Sequence, residues 1–191
     1  MTAPVSSRPA NMKVKETPLP GVLVLEPRVF RDERGFFLES YNENVMAGLG
    51  IRARFVQDNH SYSKHNVVRG LHYQICHPQG KLLRVVSGEI LDIAVDLRRS
   101  SSTFGKWYGE ILSAENQLML WIPTGLAHGF RVLSESAHVL YKATDFYHPE
   151  CERTLAWNDP KVGIDWQLKG QPLLSPKDAQ GTSLQDAETF E

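Results

Sequence analysis

From Phe55 onward the sequence is a succession of short segments rich in β-branched and aromatic residues, with turn residues between them. Turns at intervals of roughly 8–12 residues predict many short strands, the pattern of a β-sandwich or a jelly-roll barrel. Ser87-Gly88 and Ser113–Asn116 are the best-marked turns. The strands predicted in this part of the chain are Phe55–Ser63, Val67–Ile75, Lys81–Val86, Glu89–Leu97, Lys106–Leu112, Leu118–Pro123, His128–Leu133 and His138–Thr144.

The segment before Phe55 adds two strands and one helix. Val22–Phe30 and Gly35–Tyr41 have strand composition, and Asn42 is placed to cap a short helix that ends near Gly48. Strands and helices do not alternate, so nothing supports a parallel sheet. We therefore predict a mainly all-β fold, a jelly-roll β-barrel with a few short helices, mostly near the C-terminus.

The length of 191 residues suits one domain with a full core. We place this domain at residues 19–179, between a flexible N-terminal tail at 1–18 and a C-terminal tail at 180–191. The pattern becomes irregular after Pro149, and Trp157 and Trp166 are expected to pin this segment to the barrel.

Composition excludes several classes of function. A net charge of −1 argues against a general binder of nucleic acid or of membrane surfaces, because those need a basic surplus. No apolar run approaches the roughly 18 residues of a membrane span. Cys76 and Cys151 form no CxxC pattern, so we expect no disulfide and a reducing, cytoplasmic setting.

Candidate chemistry centres on the predicted strand Val67–Ile75. Side chains alternate along a strand, so His72 and Gln74 share one face with Gly70, which leaves a gap where a substrate ring could sit. A lone strand histidine is more often structural than catalytic. The polar run Gln57–His60 on the preceding strand favours a site inside the barrel, because such strands should otherwise bury hydrophobic residues.

The residue types of a proton-transfer site are present elsewhere in the chain. His72 is a candidate base, and Tyr141 is a candidate acid on another strand. Lys81 and Arg69 offer positive charge, and Asp178 could orient the histidine. Each of these residues also has an ordinary structural interpretation when it is taken alone.

A bound metal is the other chemistry that small jelly-roll barrels often support. Their usual first ligand pair is His-x-His, but here Gln74 follows His72 in the position of the second histidine. The second half-motif, Pro123–His128, is present, yet His128 would lack partners. No glycine-rich nucleotide loop occurs. We therefore expect no metal and no cofactor.

At these residues the sequence resembles the dTDP-4-dehydrorhamnose 3,5-epimerases, which are metal-free members of the cupin superfamily. The resemblance extends from about Pro20 to Ala179. The segments that carry it are Arg34–Ser40, Phe55–Ser61, Val68–His72, Gln79–Leu82, Leu120–Pro123, Ala127–Phe130, Leu140–Thr144 and Lys177–Ala179.

The resemblance implies a reaction. The family substrate is a dTDP-4-keto-6-deoxyglucose, whose ketone acidifies the protons on carbons 3 and 5. Inversion of both carbons through enolates gives the precursor of L-rhamnose. By resemblance, His72 is the base, Asp178 orients it, Lys81 stabilises the enolate and Tyr141 returns a proton on the opposite face.

The resemblance also implies how the substrate is held. Arg34 and Glu39 match residues that reach the active site of the neighbouring subunit in a homodimer, in which an N-terminal strand adds to the partner's sheet. Phe146 is expected to stack on the thymine. The remaining residues assigned to substrate binding are Gln57, Asn59, Arg69, Lys81, His128, Glu152 and Lys177.

Three alternatives remain open at this point. A related enzyme that epimerises only one carbon would share the base and the barrel. A non-catalytic cupin that binds sugar nucleotides would keep the fold without turnover. A metal-dependent oxygenase would need a ligand where Gln74 stands.

Overall fold

The computed structural model of the protein describes residues 12–191. It contains thirteen strands, two short α-helices and one 3₁₀ turn. The strands are β1 (Met12–Glu16), β2 (Leu23–Pro27), β3 (Val29–Asp32), β4 (Gly35–Leu38), β5 (Gln57–Lys64), β6 (Val68–Gln74), β7 (Lys81–Ser87), β8 (Glu89–Asp96), β9 (Trp107–Ser113), β10 (Met119–Ile122), β11 (Leu126–Val132), β12 (Ser136–Ala143) and β13 (Glu152–Thr154). The helices are α1 (Glu43–Gly48) and α2 (Pro176–Ala179), and the 3₁₀ turn is Pro149–Cys151.

Two antiparallel sheets form the barrel. The six-stranded sheet has the order β1-β2-β10-β7-β12-β5, and the five-stranded sheet has the order β13-β6-β11-β8-β9. β3 and β4 pair only with each other, as a separate hairpin. The prediction of a mainly β jelly-roll fold is confirmed.

The inner faces of the two sheets enclose the main core. Leu83 and Val139 from the six-stranded sheet pack with Ile90 and Phe130 from the five-stranded sheet, and all four side chains are buried. The outer face of the six-stranded sheet is covered by α1, through Met46. The apolar packing on these faces holds the barrel together. One end of the barrel can therefore carry polar side chains.

The C-terminal segment covers the outer face of the five-stranded sheet. Trp166 is buried there and Trp157 packs beside it, so the expectation that these two residues pin the segment is confirmed. Residues 180–191 are not a loose tail: Phe190 exchanges backbone hydrogen bonds with the segment after β8, and Ala187 is buried. The domain boundary predicted at residue 179 is therefore too early.

The predicted N-terminal tail also contains structure. Residues 12–16 form β1, which pairs with β2 of the same chain at the edge of the six-stranded sheet. Met12 points into the covering core while Lys13 and Lys15 remain in water, a lysine-rich pattern that protects an edge strand. The rest of that tail, residues 1–11, lies outside the described residues.

The expectation of unpaired cysteines is wrong, because Cys76 and Cys151 form a disulfide. Cys76 follows β6 and Cys151 precedes β13, and these two strands are neighbours in one sheet. The two Cα atoms lie 5.2 Å apart although 75 positions separate them in sequence. Spacing alone could not reveal this pairing, because it depends on which strands are adjacent.

No helix within residues 12–191 combines the length and the apolar character needed to cross a membrane.

Candidate active site

A polar pocket of about 200 Å³ opens at one end of the barrel. Its walls come from both sheets and from the loops that join them. The lining residues are Gln57, Asn59, His72, Tyr73, Gln74, Gln79, Lys81, Tyr141, Tyr147 and Glu152. Six of the residues selected from the sequence are therefore brought together in one cavity.

Strand register explains why one wall carries four of these side chains. Tyr141 on β12 pairs with Asn59 on β5, and Ala143, two positions further along β12, pairs with Gln57. On its other side Ala143 pairs with Lys81 of β7. Side chains two residues apart share a face, so Gln57, Asn59, Lys81 and Tyr141 all project from the same side of the six-stranded sheet.

His72 faces this wall from the five-stranded sheet and is paired with a carboxylate. Its Nε2 lies 2.6 Å from Oδ1 of Asp178, a residue of α2 that is only 3% exposed. The hydroxyl of Ser175 donates to the other carboxylate oxygen at 2.7 Å. The backbone N–H of Gly70 donates to Oδ1 at 3.2 Å. The carboxylate is thus held by three donors, one of which is His72.

The electrostatics keep the imidazole neutral and the carboxylate charged. Burial lowers the pKa of His72, and this effect outweighs the opposing hydrogen bond and charge of Asp178. Burial raises the pKa of Asp178, but the hydrogen bonds from His72 and Ser175 lower it by more. The pKa of Asp178 is therefore below its usual value. A neutral histidine whose Nε2–H points at Asp178 leaves the Nδ1 lone pair free to accept a proton.

A second histidine–carboxylate pair lies beside the first. His128 on β11 pairs directly with His72 across the sheet, and its Nε2 lies 3.0 Å from both carboxylate oxygens of Asp92. Asp92 is fully buried, and the sequence analysis did not select it. The available signal was a carboxylate in the middle of a strand with apolar residues on both sides, Ile90-Leu91 before it and Ile93–Val95 after it, since a buried charge requires a partner.

Lys81 and Tyr141 are both perturbed by the pocket. Burial lowers the pKa of Lys81 to about 8, against the opposing charges of Glu152 and Asp92. Burial raises the pKa of Tyr141, and the positive charge of Arg69 opposes that change. At neutral pH the lysine is therefore charged and the tyrosine keeps its proton.

The mouth of the pocket is organised around Glu152. Lys177 donates to its Oε1 at 2.8 Å, and the hydroxyl of Tyr147 donates to its Oε2 at 2.9 Å. Phe146 lies next to Tyr147 with 57% of its surface exposed, and it does not line the cavity. Tyr147 was missed because a tyrosine in an irregular segment carries no distinctive pattern.

Three further selected residues that do not line this cavity make their contacts elsewhere in the chain. Arg69 is turned towards β5, where its guanidinium donates to Ser63 and to the Tyr62 carbonyl. Arg34 forms an ion pair with Asp32 at the turn of the β3–β4 hairpin. The third is Glu39, which follows the hairpin and accepts a hydrogen bond from the Asn42 side chain.

The gap that was expected at Gly70 is not open to a substrate. A Cβ at this position would lie 2.6 Å from the carbonyl oxygen of His128, so β11 fills the space. Gly70 also has a φ of 104°, which favours glycine. Its role is to let β6 approach β11 closely, and the substrate space lies beside His72 instead.

Gln74, at the position where a metal-binding barrel would have its second histidine, is fully engaged by the backbone. Its amide NH₂ donates to the carbonyls of His77 and Phe146, and its oxygen accepts from the N–H of His148. Gln74 therefore joins two loops at the rim of the pocket.

A barrel that holds a half-buried histidine paired with a buried carboxylate, a facing tyrosine and a half-buried lysine is equipped for proton transfer at carbon, and these features define a cupin-type isomerase. The family model of dTDP-4-dehydrorhamnose 3,5-epimerase matches residues 16–186. The chain belongs to this family.

Individual relatives agree with this assignment. A dTDP-4-dehydrorhamnose 3,5-epimerase from Pseudomonas aeruginosa is 57% identical over 180 residues, which cover 94% of this chain and 99% of the relative. The crystal structure of dTDP-6-deoxy-D-glucose-3,5-epimerase from Legionella pneumophila, in complex with dTDP-4-keto-L-rhamnose, has a TM-score of 0.91 and 49% identity. The match covers 93% of this chain and 95% of that one.

A 3'-monoepimerase from Streptomyces bikiniensis, whose structure contains dTDP, is also similar. It has a TM-score of 0.84 and 29% identity, with 89% of this chain and 86% of that chain covered. The fold is thus shared by enzymes that are named for one epimerisation and for two.

Proposed function

We propose that this isomerase inverts carbons 3 and 5 of dTDP-4-dehydro-6-deoxy-D-glucose and so produces dTDP-4-dehydro-L-rhamnose. The single observation that carries the proposal is the placement of a base and an acid on opposite walls of one pocket. His72 projects from the five-stranded sheet, and Tyr141 projects from the six-stranded sheet. Inversion requires a proton to leave one face of a carbon and another to arrive at the opposite face.

Each residue has a defined part in the reaction. Nδ1 of His72 removes the proton on carbon 5 or carbon 3, and the electron pair moves onto the ketone oxygen as an enolate. The Lys81 ammonium stabilises that negative charge. The Tyr141 hydroxyl then gives its proton to the opposite face, and exchange with water restores both residues for the second carbon.

The remaining predicted residues hold the substrate. Gln57 and Asn59 border the sugar, while His128 is fixed by Asp92 beside the base. At the mouth, the nucleotide end meets a group of three side chains. These are Phe146, Glu152 and Lys177. The rotation of Arg69 away from Ser63 would bring its guanidinium to the diphosphate.

The test is solvent-deuterium incorporation followed by NMR, with wild-type protein and the Tyr141→Phe variant in heavy water and no added metal. Label at both carbons 3 and 5 in the wild type is the expected result. In Tyr141→Phe we expect slower formation of inverted product than of label, because the base remains while the opposite-face proton donor is gone. Label at one carbon only would favour a single-carbon epimerase, as the similarity to a monoepimerase allows. No label from folded wild-type protein would contradict the substrate assignment and would favour a non-catalytic binder of sugar nucleotides.

We expect kcat/KM to depend on pH as a bell-shaped curve. The acid limb follows His72, which must be neutral to act as a base and whose pKa is below the usual value of about 6.5. The alkaline limb follows Lys81, which loses its charge above a pKa of about 8. Initial rates between pH 4 and 10 would measure both limbs. A rate that stays constant to pH 10 would contradict the role of Lys81, and Lys81→Met should lack the alkaline limb.

We also propose a homodimer in which the β3–β4 hairpin reaches the site of the neighbouring subunit. The hairpin carries three phenylalanines that are exposed in the single chain, with Phe30 at 44%, Phe36 at 52% and Phe37 at 70%. Phe30 and Phe37 pack against each other on one face of the hairpin, and Phe36 lies on the other face. Large apolar side chains left exposed in this way favour a protein partner. Arg34, at the turn between these strands, would then lie in the partner's site with Glu39 close behind it.

Arg34→Ala is accordingly expected to raise KM by about tenfold or more, which corresponds to the loss of one charged hydrogen bond to the substrate, without changing the melting temperature. Arg52→Ala, an exposed arginine outside the hairpin, is the matched control and should leave KM unchanged. Steady-state kinetics with light scattering for the oligomeric state would measure both effects. Equal KM values for the two variants would contradict the placement of Arg34.

The nucleotide-sugar substrate favours a cytoplasmic location. The Cys76–Cys151 disulfide is the observation that opposes it, because such bonds persist mainly in oxidising compartments.

A further inference from the structure

The two loops at the rim of the pocket carry side chains that the epimerase site does not use. His77 lies in the loop between β6 and β7, and Asp145 and His148 lie in the segment after β12. Their ligand atoms are all within 4.8 Å of one another. Within residues 12–191 this is the only such group of histidine, cysteine or acidic side chains.

We propose that His77, Asp145 and His148 bind a divalent transition-metal ion, with Zn²⁺ as the preferred ion. Two imidazoles and one carboxylate form a ligand set that suits zinc and its neighbours in the first transition row. The site is separate from His72 and Lys81, and it does not depend on the proposed reaction.

The distances in the group are close to those that an ion would impose. Nδ1 of His77 lies 3.5 Å from Oδ2 of Asp145. Ligands at about 2.0–2.2 Å around a tetrahedral zinc ion lie roughly 3.3 Å from one another. The His77 and His148 rings are stacked with centroids 4.1 Å apart, so rotation of one ring about its side-chain bonds would direct its nitrogen to the same point.

The backbone that carries the ligands is fixed independently of any metal. Gln74 bonds to the carbonyl of His77 and to the N–H of His148, and the Gln79 side chain donates to the carbonyl of Asp145 at 2.9 Å. The Cys76–Cys151 disulfide links the same two segments. Because both loops are already ordered, binding would require only side-chain rotation, which lowers its entropic cost.

The carboxylate of Glu150 lies within hydrogen-bond distance of the His148 imidazole. Oε1 of Glu150 lies 3.2 Å from Nδ1 of His148. Metal-bound histidines commonly donate their second N–H to a carboxylate, which fixes the tautomer and the ring orientation. In this arrangement Nε2 of His148 is the metal ligand. Side-chain exposures of 55% for His77, 35% for Asp145 and 31% for His148 leave room for water at the open coordination position.

The experiment titrates ZnCl₂ and, separately, CoCl₂ into EDTA-treated protein without reductant, using calorimetry and the cobalt absorption spectrum. We expect one ion per chain and a visible cobalt spectrum without a thiolate charge-transfer band. His77→Asn and His148→Asn should each weaken binding at least tenfold. Asparagine is the chosen replacement at residue 77 because His77 has a φ of 53°, a region that asparagine tolerates better than most residues.

The matched control is His60→Asn, which removes one member of another close histidine pair, with His60 Nε2 at 2.9 Å from His138 Nδ1. This variant should bind zinc like the wild type. The proposal is overturned by a wild type that binds no ion, by unchanged affinity in folded His77→Asn, by loss of binding in His60→Asn, or by a cobalt–thiolate band, which would assign the ion to reduced cysteines.

Discussion

Replacement of His72 by asparagine is expected to lower kcat by on the order of 10²–10⁴-fold, which is the usual contribution of a general base. Asparagine is smaller than histidine, and its amide nitrogen takes the place of Nδ1, so the hydrogen bond from Nε2 to Asp178 is lost. Asp178 keeps the Gly70 N–H and the Ser175 hydroxyl as donors, so the strand and α2 should remain in place. Asparagine has no basic nitrogen, so neither carbon 3 nor carbon 5 can lose its proton at a useful rate.

The measurement is deuterium incorporation at both carbons together with calorimetric binding of dTDP. We expect both labels to be lost while the affinity for dTDP stays within about twofold of wild type, because the nucleotide end lies at the mouth of the pocket. The matched control is His60→Asn. His60 is another strand histidine, which lies on β5 and forms a side-chain hydrogen bond with His138. Full exchange in folded His72→Asn would show that another group is the base.

The sequence predicted the barrel because its strands are short, regular and separated by recognisable turns. Helix α1 was also predicted, since the Asn42 side chain accepts hydrogen bonds from the N–H groups of Asn44 and Val45. These are local signals. The strand β1 and the packed segment 180–191 were missed, because their order comes from contacts with strands that are distant in sequence.

The candidate site was only partly predictable for the same reason. His72 stood out by itself, but Asp178 lies 106 positions away. Residue type made Asp178 one possible partner, and the resemblance to a family made the pairing specific. The pairing of Asp92 with His128 was missed, because a carboxylate in an apolar strand does not identify its partner. The Gly70 gap was predicted from alternation along one strand, which contains no information about the neighbouring strand that fills it.

The largest electrostatic effect in the pocket should come from Lys81. Replacement by methionine keeps an unbranched apolar side chain as far as Cε but removes the ammonium group. Loss of one group that stabilises a developing oxyanion typically lowers kcat by roughly 10²–10³-fold. The half-buried position strengthens this expectation, because desolvation there shows that the charge is screened less than in water.

The pattern of the loss distinguishes this role from a purely structural one. Carbons 3 and 5 flank the same ketone, so both enolates place their charge on one oxygen. Lys81→Met should therefore slow deuterium exchange at both carbons by a similar factor. If only one carbon were slowed, Lys81 would be acting on a proton transfer rather than on the shared oxygen.

The matched control is Lys142→Met. Lys142 pairs with the neighbour of Lys81 across β7 and β12, but it belongs to the opposite face of the sheet, where it forms an ion pair with Asp58. Its replacement removes one positive charge from a position next to Lys81 in the same sheet. The Lys142 side chain does not line the pocket, so the pocket itself is unchanged. Exchange rates in Lys142→Met should match the wild type at both carbons, so a comparable loss in this variant would mean that net positive charge, and not a positioned ammonium group, supports the reaction.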